Sequence, residues 1–203
     1  AGMGVDLSLD DRYVDLVQEG FDVAIRFGEL EDSQLVARHI GSSARVCVAS
    51  ASYLSQHGVP QTPNALKIHN CITYTHLFSS VWPFRDANGL VSIKVGGNFR
   101  ANSGYAIRDA VINGVGIALI PALLVKEEIE NGTLVSILND YAPDPIRISA
   151  VYPSTRLIPR KVKLFVDFIK DEFVKIPLLH PSKPSKPVPR LRSKPGVVVE
   201  MGR

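Results

Sequence analysis

Apolar and polar residues near the start of the chain alternate with two different periods. Residues 5–9 alternate with a period of two, which predicts a half-buried strand. In the next segment the apolar residues follow helical spacing, the two aspartates at its start can cap a helix, and Gly20 can end it. Residues 21–27 are mostly apolar and predict a second strand. A strand–helix–strand unit of this length predicts a parallel sheet covered by helices.

Further strands and helices are predicted as far as about residue 173. Strands are expected where short apolar runs are bounded by glycine, proline or polar residues, and helices where apolar residues recur every three or four positions. The strands are expected at 35–38, 44–49, 71–74, 117–121, 134–138 and 146–152, a hairpin at 82–95, and helices at 51–57, 106–111, 126–130 and 161–173. These elements describe an α/β protein without internal repeats.

Charge changes this picture only for the last 28 residues. The chain has 203 residues and a formal net charge of +3. Residues 176–203 contain six lysines and arginines against one glutamate, a net +5, which leaves residues 1–175 at −2. The part expected to fold therefore has no bulk attraction for nucleic acid. The tail also holds six of the fourteen prolines, so residues 176–203 are predicted to be a disordered, basic, proline-rich segment outside the fold.

The sequence lacks the common signatures of export, membrane insertion and catalysis. No apolar run approaches the roughly 18 residues of a membrane span, no signal peptide is evident, and Cys47 and Cys71 form no C-x-x-C pair, so a cytoplasmic protein is expected. No nucleophile elbow or phosphate-binding loop occurs, and the histidines show no metal-ligand spacing. Neither an enzyme, nor a cofactor, nor a metal site is expected, although a catalytic group assembled only in three dimensions stays open as an alternative.

Three junctions between elements carry the candidate binding residues. They are Arg26-Phe27-Gly28 at the end of the second strand, Tyr74-Thr75-His76 after the strand at 71–74, and Asn102-Ser103 before a helix. Open α/β sheets bind ligands at the carboxyl ends of their strands, and the start of a helix binds anions. Each junction also has an ordinary structural explanation: a helix cap for Asn102-Ser103, a surface ion pair for Arg26 and a core aromatic for Tyr74.

Residues 10–28 closely resemble a stretch of LysR-type transcription regulators that reads D-x-x-V-D-L-V-x-E-G-x-D-V-A-I-R-x-G. Further matches follow in the family's order. They lie at residues 32–38, 46–54, 102–104, 114–121, 132–135 and 150–153, with the last helix at 161–168. The resemblance extends over roughly residues 5–173, and several ordered matches make it specific.

The resemblance implies an α/β fold of the type 2 periplasmic-binding-protein kind, with two α/β lobes joined by two crossing strands. One lobe is expected to comprise residues 1–43 and 150–175, and the other residues 44–149. The first strand and helix of the sensing domain, and the winged helix-turn-helix that precedes them in this family, are expected to be absent from the chain. Promoter DNA would then be bound only through that missing part.

A small-molecule effector, a carboxylate, is expected to bind between the lobes. The expected lining residues are Arg26, Phe27, Gly28, Tyr74, Thr75, His76, Asn102, Ser103, Ile120 and Pro121. Asn102 and Ser103 would present donors at the start of a helix. The resemblance also implies a homodimer, or a tetramer in the full-length regulator, and no membrane partner. The alternative is a solute-binding protein of a transport system, which has the same fold.

Overall fold

The computed structural model describes residues 4–9, 14–28, 35–75, 80–153 and 158–176, together with the backbone of 196–200. The chain forms two compact units, residues 1–43 with 146–203 and residues 44–145. The chain passes into the second unit after Ser43 and returns after Pro145. The return was expected near residue 150, but the strand that begins at Ile146 belongs to the first unit from its first residue, because it pairs along its whole length with a strand of that unit.

Within the described ranges the chain forms both strands and helices, with several strands in succession before the first two α-helices. The strands are β1 (Asp6–Leu9), β2 (Val23–Phe27), β3 (Leu35–Ser43), β4 (Arg45–Ser50), β5 (Cys71–Tyr74), β6 (Val81–Asp86), β7 (Gly89–Lys94), β8 (Arg100–Ala101), β9 (Ile117–Pro121), β10 (Leu134–Ile137), β11 (Ile146–Pro153) and β12 (Gly196–Glu200). The helices are α1 (Ala51–His57), α2 (Gly104–Ile112), α3 (Lys126–Glu130) and α4 (Arg160–Val174), with 3-10 turns at Pro63–Ile68, Ala122–Leu124 and Asn139–Tyr141. This arrangement confirms the expected α/β class.

The first unit contains a five-stranded sheet in the order β1-β12-β2-β11-β3. Since every neighbouring pair in it is antiparallel, β1, β2 and β3 run in one direction while β11 and β12 run in the other. The apolar run of β2 is buried, as a strand inside a sheet requires. Helix α4 buries Val162, Phe165 and Val166 and contacts β3, where Arg38 forms an ion pair with Asp167 of the helix.

The prediction that residues 176–203 lie outside the fold is wrong for β12. Gly196–Glu200 pairs with β1 on one side and with β2 on the other. Three consecutive valines explain the difference, because β-branched residues favour strands and the proline-rich composition of the surrounding tail masks this local signal. Residues 177–195 and 201–203 lie outside the described residues.

The helix predicted between the first two strands is also corrected in part. Residues 10–13 lie outside the described residues, and the described part that follows, Val14–Gly20, forms turns instead of a helix. The carboxylate of Asp15 accepts hydrogen bonds from the backbone N–H groups of Val17 and Gln18, at 3.0 and 3.1 Å. This is the geometry of a helix N-cap, so Asp15 begins a single turn, which Gly20 ends with a φ of +77°. Val17, one of the apolar residues of the predicted helix, is 67% exposed.

The second unit has a sheet in the order β10-β4-β9-β5-β8 and a separate hairpin of β6 and β7. In this sheet only β4 runs against the other four strands. Most of the large buried side chains belong to this unit, including Trp82 and Phe84 of the hairpin and Ile107 of α2. In the part of the chain that the structure describes, no helix is both long enough and apolar enough to cross a membrane.

Candidate functional site

The carboxyl ends of three parallel strands bring most of the predicted second-unit residues to one edge of the sheet. Strands β5, β8 and β9 run in the same direction and end at Tyr74, Ala101 and Pro121. The N–H of Thr75 donates to the carbonyl of Ala101 at 2.8 Å, which joins the first two ends. Ligands of open α/β sheets bind at such an edge. The ordering of the strands therefore gives these residues a common location that the sequence only suggested.

Helix α2 begins at this edge, and the side chain of its N-cap residue makes no capping hydrogen bond. Ser103 is its N-cap residue, and the carbonyl of Ser103 accepts the first helical hydrogen bond from Ile107 at 3.1 Å. The hydroxyl of Ser103 accepts no hydrogen bond from the first turn. Because the first N–H groups of a helix have no partner within it and carry a partial positive charge, they attract an acceptor with negative charge. Ser103 thus occupies the N-cap position that the ordinary alternative gave it, but without a side-chain hydrogen bond to the first turn.

Tyr74 lies directly against the start of this helix. The residue is 4% exposed, and a Cβ placed on Gly104 would lie only 2.8 Å from the Tyr74 hydroxyl oxygen. The same Cβ would lie 2.8 Å from Cδ1 of Leu124, in the 3-10 turn that follows β9. Only glycine at position 104 therefore allows the phenol and the turn to approach the first turn of α2 this closely.

Gly104 and Leu124 were not among the predicted site residues. The sequence offered one signal, the glycine that directly follows Ser103 at the start of a predicted helix, where a residue without a side chain is unusual. Ile120 is fully buried and Pro121 is buried beside it. Thr75 and Asn102 are exposed, and Ser103 is half-buried. His76 lies outside the described residues.

The residues predicted at the end of β2 belong to the first unit, whereas those at the ends of β5, β8 and β9 belong to the second. Arg26 is 8% exposed and its Nη2 donates to the carbonyl of Val14 at 2.9 Å. Gly28 has a φ of +99°, and its N–H donates to the carbonyl of Arg147 at 2.7 Å. Phe27 is half-buried. The arginine is therefore a buried donor within its own unit.

A second polar cluster joins residues near the beginning and the end of the second unit. The guanidinium of Arg45 donates two hydrogen bonds to the carbonyl of Asp144, at 3.0 and 2.7 Å. Arg85 donates hydrogen bonds from Nε and Nη2 to the two carboxylate oxygens of Asp144, at 2.7 and 2.6 Å. Burial lowers the pKa of Arg45 to about 10, and Asp144 opposes that shift. The cluster ties the first strand of the second unit to its last residues and is a structural feature.

The two cysteines lack the properties of reactive thiols. Both are buried and unpaired. Burial raises the pKa of the Cys71 thiol to about 12 and raises that of Cys47 as well. Since the thiolate is the nucleophile, neither side chain is set up for nucleophilic attack at neutral pH. Among the described residues no group of three or more histidine, cysteine or acidic side chains is placed to hold a metal ion.

Comparison with known proteins places this geometry in one family. Residues 2–174 match the family described as LysR substrate binding domain. The uncharacterized HTH-type transcriptional regulator YhjC of Escherichia coli (strain K12) is 37% identical over 171 residues, which are 83% of this chain and 57% of that protein. This chain spans about half the length of the curated relatives that it matches.

Two solved structures show the same architecture. The CrgA regulatory domain, from a LysR-type transcriptional regulator of Neisseria meningitidis, matches with a TM-score of 0.71 and 34% identity over 80% of each chain. The full-length Vibrio cholerae virulence activator AphB matches with a TM-score of 0.70 and 32% identity over 82% of this chain and 57% of that one. The type 2 periplasmic-binding-protein fold expected from the sequence is therefore confirmed.

Proposed function

Because this chain belongs to the LysR substrate-binding-domain family, we propose that it senses a small carboxylate effector on behalf of a transcription regulator. The relatives named above are transcriptional regulators, which supports this function over that of a transport protein with the same fold. The effector would bind at the sheet edge formed by Thr75, Asn102, Ser103 and Pro121. Arg26, Phe27, Gly28 and His76 stay predicted members of the site.

The observation that carries the proposal is the amino terminus of α2, where the side chain of the N-cap residue Ser103 makes no hydrogen bond to the first turn. A carboxylate oxygen there would accept hydrogen bonds from the first-turn N–H groups, which Ser103 leaves without a side-chain acceptor. The Asn102 amide and the Ser103 hydroxyl are both able to donate to the same ligand. Ile120 and Pro121, at the carboxyl end of β9, are proposed as the apolar floor of the same site. An effector with one carboxylate and a small apolar body matches both features.

Carboxylate binding is tested by calorimetry on the complete chain with benzoate and succinate, each compared with its neutral amide. We expect a carboxylate to bind and its amide to bind at least tenfold more weakly, because the amide places no negative charge at the helix terminus. Ser103→Ala and Asn102→Ala should each weaken binding by about 1 kcal/mol, roughly fivefold.

The matched control is Asn113→Ala at the opposite end of the same helix. Asn113 is exposed and its amide donates to the carbonyl of Asp109 at 2.8 Å, so this variant alters an asparagine of α2 without touching the amino terminus. Its affinity should equal that of the parent chain. Equal affinities for all three variants, or equal binding of acid and amide, would show that the carboxylate does not bind at the start of α2.

Several further properties belong to the same proposal. Sequence-specific binding to promoter DNA would come from the part of the full-length regulators that this chain does not cover. The protein would act in the cytoplasm, where the promoter is, and would do so without catalysis. Self-association as a homodimer would use an exposed strand edge such as β1, whose Leu7 and Leu9 project into solvent.

A further inference from the structure

Strand β12 occupies an interior position of a sheet to which it does not belong by family. The family match ends at residue 174, whereas β12 comprises Gly196–Glu200. The strands on either side of it, β1 and β2, both lie within the matched residues and do not pair with each other. The sheet that matches the family therefore leaves a gap one strand wide between β1 and β2, and a segment from outside the match fills it.

The second unit shows what kind of position this is. In the first sheet β11 lies next to the edge strand β3, and in the second sheet β4 lies next to the edge strand β10. Both β11 and β4 are antiparallel to most strands of their sheet, and both directly follow a change of unit. Counted from the same side, the fourth position is held by β12 in the first sheet and by β5 in the second. Strand β5 is parallel to both of its neighbours, whereas β12 is antiparallel to both. The gap is thus a regular strand position that has been filled in the opposite direction.

The residues on both sides of the gap explain why it needs an occupant. Strand β2 contains the apolar run Val23-Ala24-Ile25, and a run of this kind is typical of a strand with a neighbour on each side. Without β12 the N–H and C=O groups along one edge of β2 would have no strand to bind. Strand β1 has no other neighbour among the described strands, and most of its residues are exposed.

We propose that the edges of β1 and β2 form a strand-acceptor site and that the chain's own Gly196–Glu200 is its occupant, bound antiparallel to both. Recognition is by main-chain hydrogen bonds, and the three valines supply β-branched residues that favour an extended backbone. The site would accept the same sequence from a separate molecule once the chain's own strand is prevented from pairing.

The register is tested by engineered cysteine pairs in the complete chain. Leu7 and Val199 are directly opposite each other, so Leu7→Cys with Val199→Cys should form a disulfide on mild oxidation. The control is Leu7→Cys with Val197→Cys, which is displaced by two residues and should cross-link at least tenfold less. The two native cysteines are buried in the other unit. On a non-reducing gel, cross-linked monomer supports the proposal, while equal yields for both pairs or cross-linked dimer would overturn it.

Occupancy is tested by hydrogen exchange in full-length Val198→Pro. Proline cannot donate to the ladder and is excluded from interior strands, so the amides of β1 should exchange at least tenfold faster, while those of β9 stay protected. A synthetic peptide of residues 193–203 should restore protection of β1, and the same peptide with proline at position 198 should not. The tail control, Leu191→Pro, lies five residues before the strand and should behave as the parent. Unchanged exchange in β1 of Val198→Pro would refute the proposal.

Discussion

The sheets of the two units both have five strands, but the strands come from differently arranged parts of the chain. In the second unit all five strands come from the continuous stretch 44–145, and β5 at the fourth position is buried throughout. In the first unit the strands come from three separate parts of the chain, and the fourth position holds an antiparallel strand from the tail. Parallel and antiparallel ladders keep neighbouring strands at nearly the same spacing of about 4.8 Å, so the direction of an inserted strand need not disturb the strands beside it.

The difference teaches that a strand position and the sequence that fills it are separate properties of this fold. The position is created by the edges of its two neighbours. The strand in it can be near a neighbouring strand in the sequence, as β5 is to β8, or distant from it, as β12 is from β2. We expect β5 to contribute more than β1 to the free energy of unfolding, because the side chains of β5 are buried whereas those of β1 are largely exposed.

The largest expected effect is a contrast between the two sheets. Ile72→Ala in β5 removes a side chain that is 1% exposed and should lower the free energy of unfolding by about 2–5 kcal/mol. Leu7→Ala in β1 removes one that is 59% exposed and should cost less than about 0.5 kcal/mol. Urea titrations followed by circular dichroism, and by the fluorescence of Trp82, the single tryptophan, measure both. Similar losses for the two variants would show that β1 is packed as tightly as β5.

A smaller effect is expected where β5 meets α2. Gly104→Ala places a Cβ within 2.8 Å of the Tyr74 hydroxyl and should destabilise the chain by about 1–3 kcal/mol. Removing the hydroxyl with Tyr74→Phe should recover part of that loss, so the double variant should be more stable than additivity predicts. Gly96→Ala is the control, since its Cβ would have no atom within 4 Å. Additive losses would mean that the phenol does not limit the space at position 104.

The sequence predicted best those elements that depend on local signals. Helix α1 lies at Ala51–His57 as expected, with Ser50 accepting from the N–H of Tyr53 and Gly58 ending it at a φ of +81°. Strand β5 and the hairpin are likewise bounded by turn residues that can be recognised without knowledge of their partners. Because the second-unit candidate residues were predicted at the carboxyl ends of strands, most of them lie at one edge of the sheet.

The elements that were missed depend on partners far away in the chain. Strand β3 extends to Ser43, five residues past the predicted end, because its polar second half pairs with β11 and has no apolar run of its own. Strand β12 depends on the edges of β1 and β2 in the same way. The contact of Gly104 with Tyr74 also joins residues far apart in the chain, so the helix terminus was predictable but the phenol beside it was not.

The smallest expected effect concerns the pH dependence of the second unit. Burial, and secondly the neighbouring His57, lower the pKa of His69 from its ordinary 6.5, and Tyr53 contacts its Nδ1 at 3.3 Å. The unfolded chain therefore binds a proton at His69 more readily than the folded chain does. The contribution of neutral His69 to the free energy of unfolding is full above pH 6.5 and is lost as the pH falls through the lower folded-state pKa. His69→Gln should therefore flatten the decline of stability between pH 7 and pH 5.

Thermal unfolding at several pH values measures this slope for the parent and the variant. The first unit supplies the comparison, because burial also lowers the pKa of His39 on β3, followed by the charge of Arg147. His39→Gln should flatten the same decline in its own right. A slope that is unchanged in both variants would assign the acid sensitivity of the chain to other groups.

The route by which the first sheet is completed has a consequence for synthesis on the ribosome. A protein emerges amino terminus first, and domains generally fold as units during synthesis. The second unit consists of residues 44–145, so it can fold while the tail is still being translated. The first unit has its strands on both sides of that stretch, and its interior strand β12 is translated after all the others. The unpaired backbone edge of β2 is thus exposed to molecular chaperones and to neighbouring nascent chains until residue 200 has emerged.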